Sequence, residues 1–175
     1  VYRYEDDSLM LHNDLYQINM AESYWNDGIH ERNAVFDLYF RSMPFESGYA
    51  VFNGLKRVIQ FIEHFHFSDS DIEYLQSIGY KNDFLNYLKN LKFTGNIRSM
   101  QEGELCFGNE PLLRVEAPLI QAQLIETVLL NIINFHTLIS TKASRIRQVA
   151  PDDTLMEFGT RRAQELDAAL WGARA

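Results

Sequence analysis

The sequence predicts an α+β domain followed by the opening strand and helix of an α/β layer or barrel. Three observations carry this. Residues Gly54 to Leu91 read as three short helices with tight connections. From Phe93 onward, Gly95, Gly103 and Gly108 punctuate short runs of strand formers, which give way to a long apolar helix. Last come a strand, a loop and a helix between Thr154 and Ala173, a unit too small to bury its own apolar face.

Each element has a local cause. Asn13 and Asp14 suit a helix start and Gly28 a helix stop, with Leu15, Ile18, Ala21 and Trp25 between them. Ala34 to Phe40 is rich in strand formers, and alternation sends Phe36, Leu38 and Phe40 to one side. Met43-Pro44 and Gly48 mark a turn. Leu55, Val58, Ile59, Ile62 and Phe65 recur at helical spacing. Ser68 to Asp71 reads as a capping box, opening a helix that Gly79 closes, and Asp83 to Leu91 gives a third. Strands are expected at Asn96–Met100, Glu104–Phe107 and Leu112–Ala117, together a small antiparallel sheet or sandwich. Pro118 suits the first position of a helix running to residue 149, apolar on more than one face and so buried between layers. Asp152-Asp153 make a turn, Thr154 to Phe158 reads as a buried strand, and Ala163 to Ala173 as a helix.

Composition narrows the function. With 46% apolar and 13% aromatic residues among 175, the chain can build a core of about one domain. A formal net charge of −8 without a basic run argues against nucleic acid and anionic membranes as partners. Glu5, Asp6 and Asp7 stand where a signal peptide needs basic residues. The most apolar window, Leu119 to Ile139, is broken by Gln121, Gln123, Glu126, Asn131, Asn134 and His136, which argues against a membrane span. The single cysteine, Cys106, lies between Leu105 and Phe107 and reads as a buried apolar residue in a reducing, cytoplasmic protein. Val1 in place of Met hints at clipped ends.

Generic catalytic signatures are missing: there is no dinucleotide fingerprint, no phosphate-binding P-loop and no nucleophile elbow. The histidines at 12, 30, 64, 66 and 136 lack metal-ligand spacing. Two segments stand out. Asp14-Leu15-Tyr16-Gln17 is at least an ordinary helix N-terminus, with Asp14 favoured by the helix dipole. Glu157-Phe158-Gly159-Thr160-Arg161-Arg162 sets two arginines after a strand end and a glycine. Ligands bind at carboxyl ends of strands in α/β proteins, and arginines there suit carboxylate or phosphate. A solvated basic pair on a surface loop is the competing reading.

These segments, taken with others, resemble the nicotinate phosphoribosyltransferase family. The resemblance runs through Asn13 to Gln17, Gly48 to Leu55, Asn109 to Pro118, Glu126-Thr127, Asn131 to Phe135, Ile139 to Ala143 and Glu157 to Ala163, in order along nearly the whole chain. It implies a two-domain type II phosphoribosyltransferase. Residues 1–150, including a connecting helix over 118–149, would form an α+β domain with a small antiparallel β-sandwich. Residues 151–175 would begin an irregular α/β barrel, with Thr154–Phe158 as its first strand. The remaining barrel, including the histidine that the family phosphorylates from ATP, would lie beyond Ala175, leaving these residues inactive alone.

The implied reaction joins nicotinate to phosphoribosyl pyrophosphate, coupled to ATP with Mg2+, in NAD salvage. Phe158 matches an aromatic that stacks on the pyridine ring, though a strand phenylalanine also suits a core. Arg161 matches an arginine that meets the donor phosphates, and Arg162 is either a second contact or a structural ion pair. Asp14 and Tyr16 match residues contributed across a homodimer interface, with Tyr16 covering the substrate ring, and Arg41 at its strand end is a further candidate. Two alternatives remain: a nicotinamide-using relative, and a non-catalytic binding or assembly module with the same sandwich.

Overall fold

The computed structural model describes residues 8–43 and 46–175; the turn expected at Pro44 falls outside them. Helix α1 spans Leu15–Asn26, followed by β1, Asn33–Leu38, and the short β2, Ala50–Val51. Three nine-residue helices follow: α2, Leu55–Glu63; α3, Asp69–Ser77; α4, Asn82–Asn90. Strands β3, Asn96–Ser99, β4, Leu105–Cys106, and β5, Leu113–Pro118, lead into helices α5, Leu119–Leu124, and α6, Glu126–Val149. A turn of 3-10 helix at Thr160–Arg162 precedes α7, Leu166–Arg174.

The strands form two small antiparallel sheets rather than one. In the first, β5 is central, with β1 on one side and β3 on the other. Its Leu113, Val115 and Ala117 are buried, while Arg114 faces outward. Arg114 pairs there with Asp37 through two bonds of 2.7 and 2.8 Å, and this guanidinium holds the Asp37 carboxyl below its ordinary range. The second sheet pairs β2 with β4. Strand β4 falls within the strand expected at Glu104–Phe107, whereas β2 is not expected from the sequence, because two residues carry no alternation to read. Gly95 lets β3 enter beside β5, since a Cβ there would lie 2.3 Å from that of Ala117.

One apolar core joins the helices to the first sheet, with Phe52, Phe84, Leu75, Leu88, Ile120 and Ile133 all below 2% exposure. The capping box at α3 is present: Ser68 Oγ accepts from Asp71 N at 3.1 Å and Asp71 Oδ2 accepts from Ser68 N at 2.9 Å. Cys106 is buried in β4, and burial pushes its thiol up to about 11. No helix of the described residues is long and apolar enough to cross a membrane.

Three expectations are corrected. The helix expected from Pro118 to residue 149 breaks at Ile125, and Pro118 closes β5 and caps α5 rather than opening the helix. Thr154–Phe158 is not a buried strand but an extended, exposed segment. No strand lies beside it among the described residues, so its amides are unpaired within them. For the same reason no closed barrel is present among them. Finally, the last helix, expected over Ala163 to Ala173, spans Leu166–Arg174, and the loop before it contains the 3-10 turn, held by Arg162 N donating to Gly159 O at 2.8 Å.

His136 on α6 is fully buried, and among the described residues neither ring nitrogen has a hydrogen-bond partner. Gly54 makes room for it: with φ at +107°, its ideal Cβ would sit 3.2 Å from His136 Cβ. Trp171 of α7 lies over the imidazole at 5.4 Å between centroids. Burial, then the charges of Arg57 and Arg174, push the imidazole down to about 4, with Glu102 opposing. The unfolded chain binds a proton near pH 6.5, so stability falls as pH drops from 6.5 towards 4, by on the order of 3 kcal/mol in total. His136→Phe should flatten that part of the profile, measured by urea unfolding between pH 7 and pH 4.5; an unchanged slope would assign the acid loss to other groups. Removing the α3 cap with Ser68→Ala should lower stability by about 1 kcal/mol at neutral pH, read by the same titration.

Candidate functional site

Helix α1 begins where α5 ends and α6 starts, and the break at Ile125 explains the arrangement. Ending α5 frees the Leu124 carbonyl, which must find a donor. Asn13 Nδ2 supplies one at 2.9 Å, while its Oδ1 accepts from Asp14 N at 3.1 Å. Gln123 Nε2 donates to the Gln17 carbonyl at 3.2 Å, fixing the first turn of α1 from the other side. Gln17, only 1% exposed, divides its amide protons between Tyr16 Oη at 3.2 Å and Glu126 Oε2 at 2.8 Å. Tyr16 is thus anchored at its hydroxyl while its half-exposed ring stays at the surface.

Beside that ring is an open cavity of about 450 Å³. Asp14 and Tyr16 form one wall, Leu38, Tyr39 and Phe40 another, and the first two turns of α6 the floor. Thr127, Asn131 and Asn134 on that floor stand at i, i+4 and i+7, one face of the helix. These residues were not singled out as site candidates from sequence. All three lie in segments that carry the family resemblance, and Asn131 and Asn134 also argue against a membrane span, but their polarity at helical spacing within an apolar helix is the signal that points to a site. Gln17 belongs to the Asp14–Gln17 motif but has no role assigned from sequence, since nothing in a sequence says which neighbour a buried amide will hold.

The other candidates lie elsewhere. Arg41 is exposed one residue beyond Phe40 and does not line the cavity. Phe158, Arg161 and Arg162 do not line it either. Phe158 is 91% exposed, and no other ring stacks on it among the described residues. Arg161 and Arg162 are exposed in the 3-10 turn with no ion pair among the described residues, so the structural pair considered for Arg162 is not formed there. Glu157 folds back to accept from Gly159 N at 2.8 and 3.0 Å, which sets the turn but leaves both guanidinium groups free of its carboxylate. Among the described residues no three histidine, cysteine, aspartate or glutamate side chains gather into a metal site.

Comparison with known proteins places this geometry in a family. The family model described as the nicotinate phosphoribosyltransferase (NAPRTase) N-terminal domain matches residues 11–134. A nicotinate phosphoribosyltransferase of Bacillus subtilis is 63% identical over 175 residues, covering 99% of this chain and 36% of that protein. One from Dictyostelium discoideum is 43% identical over 92% of this chain and 28% of its own length. The crystal structure of human nicotinic acid phosphoribosyltransferase superposes with a TM-score of 0.84 at 36% identity, over 91% of this chain and 33% of that one. A nicotinate-nucleotide pyrophosphorylase of Pyrococcus furiosus shares the fold, with a TM-score of 0.71 at 19% identity. The chain spans about a third of the length of the curated relatives it matches, and across that third it belongs to the nicotinate phosphoribosyltransferase family.

Proposed function

We propose that the full-length protein is a nicotinate phosphoribosyltransferase, forming nicotinate mononucleotide and pyrophosphate from nicotinate and phosphoribosyl pyrophosphate, with ATP hydrolysis, in cytoplasmic NAD salvage. Residues 1–150 would be its N-terminal domain and residues 151–175 the start of its barrel. The single observation that best supports this reading is the exposed triad at the end of the extended segment. Phe158 has both ring faces open, and two arginines without carboxylate partners follow three and four residues later.

The reaction explains why such groups suffice. The nicotinate ring nitrogen already holds a lone pair, so no base is needed to prepare it. That pair forms the bond to the anomeric carbon, the carbon–oxygen bond breaks, and its electrons leave with pyrophosphate. Positive charge builds on the ribose as in glycoside cleavage, so the protein contributes positioning and stabilisation of the departing charge. Phe158 stacks on the pyridine, aligning the nitrogen without consuming its lone pair. Arg161, with Arg162 beside it, meets the donor phosphates as planar, permanently charged forks. Arg41 would approach the same site from the end of β1. Among the described residues no three histidine, cysteine, aspartate or glutamate side chains gather; ATP and Mg2+ would be held by the remainder of the protein.

Asp14 and Tyr16 complete the site from a second copy. Phe158 does not line the cavity beside Tyr16, which supports a site whose two walls come from different chains of a two-fold dimer.

Two outcomes test this in the full-length protein. Phe158→Ala should lower kcat/KM for nicotinate by roughly three- to tenfold, the worth of a lost stacking face, without lowering Tm. A lowered Tm with unchanged kinetics would return Phe158 to the core. Tyr16→Ala and Phe158→Ala should each impair a homodimer, whereas a doubly tagged mixed dimer should recover activity, because one of its two sites collects both lesions and the other none. No recovery in a verified mixed dimer would refute the shared site.

A further inference from the structure

The turn bearing Arg161 and Arg162 has little to hold it from its N-terminal side. Arg147 Nη1 ties down the carbonyls of Ala150, Pro151 and Asp153 at 3.1, 3.0 and 2.8 Å. Between Thr154 and Phe158 the backbone is exposed and unpaired. Its placement therefore comes from the C-terminal side, through α7, which begins four residues after Arg162.

Helix α7 is fastened at its far end. Arg174 donates Nη2 to Glu102 Oε2 at 2.5 Å, and Nη1 to Glu102 Oε1 at 3.2 Å and to Asn53 Oδ1 at 3.3 Å. The next carbonyl, of Ala175, accepts from Ser140 Oγ at 3.0 Å and Asn53 Nδ2 at 3.4 Å. One turn earlier, Arg57 lies over the Trp171 ring, 4.8 Å from its centroid. Glu102 is itself fixed: its Oε1 caps α2 by accepting from Gly54 N and Lys56 N, both at 3.1 Å. The Glu102 and Arg174 side chains are only 24% and 31% exposed, so solvent screens this pair less than a surface ion pair.

We propose that Glu102 and Arg174 form a positioning clamp that sets, through α7, where the Thr160–Arg162 turn presents its arginines to the phosphates of the ribosyl donor. The inference rests on the phosphoribosyl reading of that turn, and neither clamp residue touches substrate. Geometry gives the clamp leverage. A nine-residue helix is about 13 Å long, so a tilt of about 5° at Arg174 moves the Leu166 end by roughly 1 Å, a displacement that can cost on the order of a hundredfold in rate when it falls on a reacting group. The α2 cap shares the same carboxylate, so the position of α7 is referred to the start of α2 rather than to the flexible reach of a lone side chain.

The test uses full-length protein carrying Arg174→Met, Glu102→Gln, both together, or Arg161→Ala as reference. Glu102→Gln keeps an oxygen for the α2 amides while removing the charge that draws Arg174, so it isolates the clamp from the cap. Steady-state kinetics in both substrates and Tm are measured for each. Expected is a KM for phosphoribosyl pyrophosphate raised roughly tenfold in either single variant, a KM for nicotinate within about twofold, and a double variant no worse than the singles. An unchanged donor KM in Arg174→Met or Glu102→Gln, when Arg161→Ala raises it, overturns the clamp alone. Equal losses for both substrates in step with a lowered Tm reduce the pair to a fold contact and also overturn it. If Arg161→Ala leaves donor use unchanged, the phosphoribosyl reading of the turn fails first and the clamp falls with it.

Discussion

A row of hydroxyls along α6 takes the place of a neighbouring strand, and much of the structure is arranged around it. Strand β2 has β4 on one side only. Its amides alternate direction, as strand geometry requires. Phe52 N turns towards β4 and reaches Glu104 O at 2.9 Å, while Val51 N and Asn53 N turn the other way. There Thr141 Oγ1 accepts from Val51 at 2.9 Å and Thr137 Oγ1 from Asn53 at 3.2 Å. A buried amide left unpaired costs about 1–3 kcal/mol, so these two threonines decide whether the segment can lie against the helix at all. Ser144 continues the row by meeting Tyr49 Oη at 3.1 Å, and Ser140 holds the end of α7.

Once β2 is docked in this way, Asn53 and Gly54 arrive directly over α6. Only a residue without a Cβ can pass His136 there with a positive φ. The α2 helix starts at that point, Glu102 comes to cap it, and α7 packs Trp171 onto the same imidazole. The far end of α7 is thus tied to one short stretch of α6 and the loop that crosses it.

Sequence patterns reveal the elements that depend on neighbours close in the chain. The capping box at Ser68 and the helical spacing in α2 both arise within a turn or two, and both appear where the pattern puts them. What the pattern misses depends on distant partners. Thr154–Phe158 has the composition of a buried strand, but a strand needs another beside it, and none of the described residues provides one. The break at Ile125 is likewise invisible, because the residue that repairs it, Asn13, lies 111 positions from Leu124. The candidate site follows the same division. Asp14 and Tyr16 were visible as a motif, and they do line a cavity. The floor supplied by Thr127, Asn131 and Asn134 needed the fold to bring α6 under α1.

Cys106 offers a practical consequence of the way β2 is held. It is the chain's sole thiol, sealed beneath the two-stranded sheet and opposite Ala50. The reactive thiolate is scarce both because the group is shielded and because its proton is held so tightly. A thiol-directed dye therefore meets nothing in the closed molecule and marks it only when β2 lifts from β4 and α6. Within these 175 residues one natural side chain is thus a clock for local opening, with alkylation rate as the hand.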